Sequence, residues 1–335
     1  MFGLKLPKTQ HLKRYHIVFG ILAQYGFGDV FANSRAKKLI PKNYLKKHPD
    51  TEKLLSLSTF ARVRMVMEQL GPSFVKMGQL LSNREDLLPP ELNKELEKLQ
   101  DHAEALKNFE VERVVGEVLE IDCSEYFRSI APQPLAAASL AQVHEARLHN
   151  GARVVLKIQR PDIEGVIASD IAIMKDIAGS LEKYSAQMKA FQPAQLVASF
   201  EKSVKEELSF LKEMDNMERF TRNFTGNSAI YVPKVYRDLS NDHLICMEFM
   251  DGIKVSELDT LQASNIDSRK VAKIGVDLYL EQVLEHGFFH ADPHPGNIFV
   301  LPNTEKICFI DFGMMGTIMP NEKDSLIALM GSFLR

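Results

Sequence analysis

Between Phe288 and Gly313 the chain reads FFHADPHPGNIFVLPNTEKICFIDFG, and few folds can use such a stretch. A polar loop is followed by an apolar run, a Pro-Asn turn, a second apolar run over 307–310 and an Asp-Phe-Gly end. Two short hydrophobic runs around a turn predict paired strands. Asp292 lies two residues after His290, Asn297 lies five after Asp292, and Asp311 opens the Asp-Phe-Gly triplet. Asn297 and Asp311 are hard oxygen donors suited to Mg²⁺, while a third group, the Asp292 carboxylate, stays available to a nucleophile. Phosphoryl transfer needs that division of labour. Reading His290-x-Asp292-x-His294 as another kind of metal cluster, as in a hydrolase, leaves Asn297 and Asp311 without a task.

A phosphate-binding half is legible upstream. Ala136-Ala137-Ala138-Ser139-Leu140-Ala141-Gln142-Val143 stands where protein kinases carry a Gly-rich loop, with Ala at 136, 138 and 141 where Gly would recur. Backbone N–H groups of such a loop cradle phosphates. Alanine permits close approach but disfavours positive φ, which predicts a stiffer loop of different shape. In isolation this stretch reads as a helix start, and its position before a hairpin decides otherwise. Asn150-Gly151 between the runs 143–148 and 153–158 is that hairpin's turn signal. The second run delivers Lys157, where the kinase phosphate-binding lysine would stand. Residues 162–220 read as helical and carry Glu207 and Glu213. One helix carboxylate should hold Lys157 toward the α- and β-phosphates, and Glu213 is preferred. The runs 231–235 and 243–249 read as strands. Met247-Glu248-Phe249-Met250 then resembles a hinge, with backbone groups of Glu248 and Met250 placed to bond an adenine edge. A helix over 271–286 leads into the polar loop.

The front of the chain differs in charge. Residues 1–50 hold ten Lys and Arg against Asp29 and Asp50, a net of +8, which leaves −11 for the rest of a chain whose total is −3. Such a front end suits an anionic membrane surface, or else a solvated arm; no nucleic-acid partner is expected. Cys123, Cys246 and Cys308 are far apart, odd in number and set among apolar residues, as reduced core residues of a cytosolic protein are. No run of about 18 apolar residues is present to span a membrane. The apolar run 17–23 is too short for a signal peptide, and Arg and Ser are too sparse for a transit peptide. A short amphipathic helix is predicted at 15–25, and Phe60, Val63, Met67 and Leu70 recur at helical spacing. Gly71-Pro72 stops that helix, and Ser73 is the expected N-cap of the next. This next helix carries Lys76-Met77-Gly78-Gln79. Lys76 and Gln79 share a face, and Gly78 allows another backbone to approach, although spacing alone favours a solvated Lys-Gln pair. Further helices are expected at 91–100 and 110–119. After Gly313 only 22 residues remain and no Ala-Pro-Glu-like segment is found, so the C-terminal lobe is expected to be partial.

Taken in order, Lys76-x-Gly78-Gln79, the Ala-rich loop Ala136–Ala141, Lys157, the loop His290 to Asn297 and Asp311-Phe312-Gly313 resemble the UbiB/AarF-type atypical kinases associated with ubiquinone biosynthesis. The resemblance spans roughly residues 10–335. It implies an α+β, bilobal protein-kinase-like fold with an N-terminal helical extension. The divisions expected are a basic arm with its helix at 1–50, the helical extension at 51–125, an N-lobe at 126–250 and a partial C-lobe at 251–335. ATP and Mg²⁺ are the implied ligands. Asp292, Lys157 and Glu213 would be catalytic, and Asn297 and Asp311 would hold the metal. Ala136, Ala137, Ala138, Ser139, Ala141, Val143, Lys157, Glu248 and Met250 would surround the nucleotide. Lys76, Gln79 and Glu207 would regulate, the first two by docking over the site where a protein substrate would lie. The likeness further implies ATPase or lipid-directed phosphotransferase activity, quinone-biosynthesis lipids or proteins as partners, and a cytoplasmic protein peripheral to a bacterial inner membrane. The family's Glu-x-Asp signature falls on Glu207 and Ser209, so its Asp is missing, unless Glu213-Met214-Asp215 is the register meant. The C-terminal membrane helices common in the family are not in this sequence. A small-molecule phosphotransferase of the aminoglycoside- or choline-kinase kind shares the polar loop but not the Lys-x-Gly-Gln helix or the Ala-rich loop. A nucleotide-sensing scaffold is the non-enzymatic alternative.

Overall fold

Short apolar runs punctuated by Gly and Pro set the strands, and longer runs of 3.6-residue spacing set the helices. The computed structural model describes residues 8–28, 54, 56–82, 88–99, 105–106, 109–184, 189, 191–302 and 304–333. Helices α1 (Lys8–Gln24), α2 (Thr59–Leu70), α3 (Pro72–Ser82), α4 (Pro90–Leu96), α5 (Val111–Leu119) and the single turn α6 (Cys123–Tyr126) come first. Strands β1 (Phe127–Ile130), β2 (Ala136–Ala137), β3 (Ala141–Leu148) and β4 (Arg153–Gln159) follow, then helices α7 (Ile163–Tyr184), α8 (Pro193–Glu207) and α9 (Phe210–Asn223). Next come β5 (Ile230–Tyr231), β6 (Leu244–Glu248), β7 (Ile253–Lys254), α10 (Leu258–Ala263) and α11 (Ser268–Leu280). The order closes with β8 (Phe288–His290), β9 (Ile298–Leu301), β10 (Lys306–Phe309), β11 (Met315–Thr317) and α12 (Pro320–Phe333). The chain divides into two units, one of Met1–Ala105, Ala136–Ala141 and Gln159–Lys205, the other of Leu106–Leu135, Gln142–Ile158 and Glu206–Arg335.

The first unit is mainly helical. Arg14 of α1 grips the buried carboxylate of Asp170 in α7 with Nε and Nη2 (2.6 and 3.0 Å) and donates to the Leu70 carbonyl at the end of α2 (2.7 Å). Only a paired charge is tolerated at such a depth. Ser58 caps α2 by accepting from Ala61 N–H, and Gly71 ends it at φ +95°. The next helix starts at Pro72, whose fixed φ suits a first helical residue. Ser73 is therefore not the N-cap that was expected; it is a buried residue of the first turn. A Cβ on Gly78 would meet Leu99 Cδ1 at 2.2 Å and Met67 Sδ at 2.8 Å, so the close approach there is by side chains and not by another backbone. Most of the basic arm at 1–50 lies outside the described residues; within it α1 begins earlier than the sequence pattern predicts, at Lys8. Among the described residues no helix is long and apolar enough to cross a membrane.

In the second unit the antiparallel strands run in the order β1-β3-β4-β6. The turn between β3 and β4 is the Asn-Gly one: Gly151 has φ +87° and Ala152 N–H donates to Asn150 Oδ1 (3.0 Å). Strand alternation puts Val154, Leu156 and Ile158, each fully buried, into one core with Val115, Leu244 and Cys246. Lys157, opposite Ile245 on β6, therefore points to the other face. A second sheet has the order β5-β10-β9-β7, and β8 pairs with β11 so that His290 faces Met315. The strand expected at 231–235 is cut to Ile230–Tyr231, because Pro233 has no N–H for a ladder; Val235 makes only an isolated bridge to Met247. The helix expected to run to 286 is α-helical to Leu280 and continues as a π-helix over Glu281–His286, closed by Gly287 at φ +56°.

Candidate active site

The site is built entirely within the second unit. Lys157 Nζ donates to both carboxylate oxygens of Glu213 (2.7 and 2.8 Å) and lies 3.4 Å from Asp311 Oδ1. Glu213 reaches it because α9 starts where it does. Ser209 Oγ accepts from Lys212 N–H and donates to Asp242 Oδ1 (2.9 Å), and the same oxygen takes Leu211 N–H (3.1 Å). That cap fixes the first helical turn and turns Glu213 inward. Glu213 is 2 % exposed, the Lys157 side chain 16 % and that of Asp311 41 %, so the cluster opens to solvent at its aspartate end. Burial pushes the Glu213 carboxyl up to about 7; the Lys157 charge opposes the rise and the Asp311 charge adds to it. Burial would lower the Lys157 ammonium, but the Asp311 and Glu213 carboxylates outweigh it and hold its pKa above the usual value. Glu207, closing α8, adds its charge to the same lysine and lies beside Gly313, where a Cβ would meet Glu207 Cγ at 3.9 Å.

The hairpin of β9 and β10 does the rest. Its register pairs Phe309 with Ile298, and Ile310 N–H donates to the Asn297 carbonyl (3.1 Å), so Asn297 sits one residue across from Asp311. Asp311 Oδ1 accepts from Gly313 N–H (3.0 Å). His290, 2 % exposed, joins this end to the polar loop. Its Nδ1 accepts Asp292 N–H (3.2 Å), which leaves the ring proton on Nε2 to be donated to the Asp311 carbonyl (2.6 Å). The loop is turned by backbone bonds from His294 N–H to the Asp292 carbonyl (2.8 Å) and from Asn297 N–H to the His294 carbonyl (2.9 Å). These bonds use main-chain groups and the ring, leaving the Asp292 and Asn297 side chains partly exposed. His290 as a structural link was missed in the sequence, where it served only to locate Asp292. The oxygen set fits Mg²⁺, which is held by one or two protein oxygens plus substrate phosphates and keeps water on its other positions. Among the described residues no group of three or more His, Cys, Asp or Glu forms a self-sufficient metal cage.

Other candidates divide between the two units. Ala136–Ala141 belongs to the first unit, where Ala138 N–H donates to the Ala141 carbonyl (2.9 Å). Arg160 closes it, donating from Nε to the Ala138 carbonyl and from its backbone N–H to the Leu140 carbonyl (both 2.9 Å). None of its residues has positive φ, and Ser139 is buried. Val143, in the second unit, accepts Leu135 N–H (2.7 Å). Lys76 and Gln79 lie on α3 in the first unit, with Gln79 Nε2 donating to the Leu99 carbonyl (3.3 Å). At the hinge, Glu248 N–H is already given to the Lys234 carbonyl (2.8 Å), so this group is not open to an adenine as expected. The Glu248 carboxylate takes the Tyr231 hydroxyl (2.8 Å) and Lys234 N–H (3.2 Å). Met250 lies two residues past the end of β6.

A lysine on a sheet, clamped by a helix carboxylate and facing an Asp-Phe-Gly aspartate, is the working core of the protein-kinase-like fold. The ABC1 atypical kinase-like domain matches residues 98–335, and the chain belongs to that family. It is 38 % identical over 282 residues to a probable protein kinase UbiB of Marinobacter nauticus, covering 83 % of this chain and 52 % of the relative. The corresponding protein of Pseudomonas fluorescens is 39 % identical over 286 residues, covering 84 % and 54 %. The chain thus spans about half the length of these curated relatives. Among solved structures, Rv3197 of Mycobacterium tuberculosis in complex with erythromycin is similar with a TM-score of 0.56 and 27 % identity, over 77 % of this chain and 64 % of that one.

Proposed function

We propose that the second unit binds Mg-ATP and acts as an atypical kinase or ATPase in isoprenoid quinone biosynthesis, on or near membrane lipid intermediates. The observation that carries this reading is Lys157 held by both Glu213 oxygens within 3.4 Å of Asp311. A buried ammonium so oriented is a ready ligand for α- and β-phosphates. Asn297 and Asp311 would hold Mg²⁺, which when bound neutralises phosphate charge. Asp292 would orient the acceptor hydroxyl or a water, and Glu213 would keep Lys157 in place. Val143 and the backbone at Met250 would contact the nucleotide, and Glu207 would restrain access to it. The UbiB names of the relatives support the link to quinones. The +8 front end supports an anionic membrane surface as partner, on the cytoplasmic side.

The first test is thermal unfolding with Mg-ATP. A ligand at a hundred times its Kd stabilises a fold by about 2.7 kcal/mol, enough for a clear rise in Tm. Wild type should show the rise, and Lys157→Ala and Asp311→Asn should lose most of it. Equal protection of all three proteins would refute the site. Turnover of ATP, with and without anionic liposomes and a phenol headgroup mimic, should then fall in Asp292→Asn. Binding with no turnover under any condition would instead select a nucleotide-sensing scaffold, and rapid phosphorylation of a soluble alcohol would select a small-molecule kinase.

A further inference from the structure

On α9 the positions 213, 216 and 220 fall on one stripe, and all three meet Phe312. Glu213 Oε1 accepts Phe312 N–H (3.4 Å), Asn216 Nδ2 donates to the Phe312 carbonyl (2.9 Å), and the Phe220 ring meets the fully buried Phe312 ring edge-on at 5.2 Å. The Asn216 contact matters for what lies across the peptide bond. The Phe312 carbonyl and the Gly313 N–H belong to one rigid planar group and point in opposite directions. That N–H is the donor that holds Asp311 Oδ1 (3.0 Å). Fixing the carbonyl therefore fixes the donor, and the donor fixes the carboxylate.

We infer that Asn216 is a positioning residue for the Asp311 carboxylate, acting through the Phe312–Gly313 peptide plane. Without its amide, nothing on α9 holds that carbonyl, and glycine at 313 offers little resistance to a rotation of the plane. A rotation would take the N–H away from Asp311 Oδ1, the oxygen that lies 3.4 Å from Lys157 Nζ. Phe312 itself would stay buried, since Glu213 and Phe220 hold its N–H and its ring. The defect would thus be specific to the carboxylate. The inference rests on Asp311 being the Mg²⁺ ligand, and the test separates the two ideas.

The experiment titrates Mg²⁺ at fixed ATP and follows Tm in wild type, Asn216→Leu, Asn216→Asp and Asp311→Asn. Leu keeps the volume without the donor, and Asp keeps the shape but cannot donate to a carbonyl, so a folding failure in one leaves the other to be read. Both Asn216 variants should need about five-fold more Mg²⁺ for half the effect, the size expected for one lost hydrogen bond. Stabilisation by ATP in EDTA should stay as in wild type. Amide exchange at Gly313 should quicken while the amides of β10 keep their protection. If Asp311→Asn abolishes the Mg²⁺ effect and neither Asn216 variant shifts it, the positioning role is refuted and the metal assignment stands. If Asp311→Asn keeps the Mg²⁺ effect, the metal assignment falls and the role of Asn216 falls with it.

Discussion

Removing one partner of a buried ion pair commonly costs about 3–5 kcal/mol, because a lone charge is left in a poor solvent. The pair of Lys157 and Glu213 should cost less to break from the lysine side. Burial already pushes the Glu213 carboxyl up to about 7, so without the ammonium it takes a proton and escapes the penalty of a bare charge. Lys157→Met should therefore lose about 2 kcal/mol of stability at pH 7, and adding Glu213→Leu should recover more than half, as apolar replacement of buried pairs often does. Chemical denaturation of the two variants beside wild type gives both values; a loss of the full amount, with no recovery, would show that Glu213 stays ionised. The lysine and its carboxylate were legible in the sequence because each stands in a readable stretch: Lys157 in an apolar strand, and Glu213 in the helical segment 162–220 that follows it. The links made by His290 and Asn216 were not. Their bonds run to main-chain carbonyls at 311 and 312, and no spacing in a sequence records a bond to backbone 21 or 96 residues away.

Capping decides where α9 begins, and with it where Glu213 points. Ser209 both caps the helix and donates to Asp242. Ser209→Ala should cost about 1 kcal/mol for the cap, the usual loss at such a position. An aspartate at 209 would set a second carboxylate against Asp242 Oδ1, which now accepts the serine hydroxyl at 2.9 Å. Ser209→Asp should therefore be no more stable than Ser209→Ala, although aspartate is otherwise an excellent cap; the Tm values of the two variants decide it. The same local chemistry explains which strands and helices could be read ahead. Asn150-Gly151 admits one tight turn, and the hairpin it closes came out as expected, whereas Ser73 was outcompeted by Pro72, and the run 231–235 by its own Pro233. A π-helix at Glu281–His286 leaves the same apolar spacing as an α-helix over so short a span, so its presence had no visible mark.

Charge is the one global property that the sequence states outright, and it bears on what surface the chain meets. A segment of +8 attached to a remainder of −11 is a strong asymmetry along a chain whose total is only −3. Near an anionic bilayer each basic residue contributes about 1 kcal/mol at low salt, falling off within a Debye length of about 8 Å at physiological ionic strength. The acidic remainder is repelled by the same surface, so attraction should depend on the front segment being free to approach while the rest stays away. Co-sedimentation with vesicles containing phosphatidylglycerol should be strong in about 20 mM salt and largely lost by about 500 mM, where the screening length falls well under 8 Å. Neutral phosphatidylcholine vesicles should bind little in either. Replacing Lys37, Lys38 and Lys42 by Glu lowers the front segment to +2 and should abolish sedimentation without changing Mg-ATP protection, since those residues belong to the arm and the proposed ATP site draws on 157, 213, 292, 297 and 311. Binding that persists in high salt would point to apolar insertion, with the exposed Leu12 and Ile17 of α1 as the side chains to replace next.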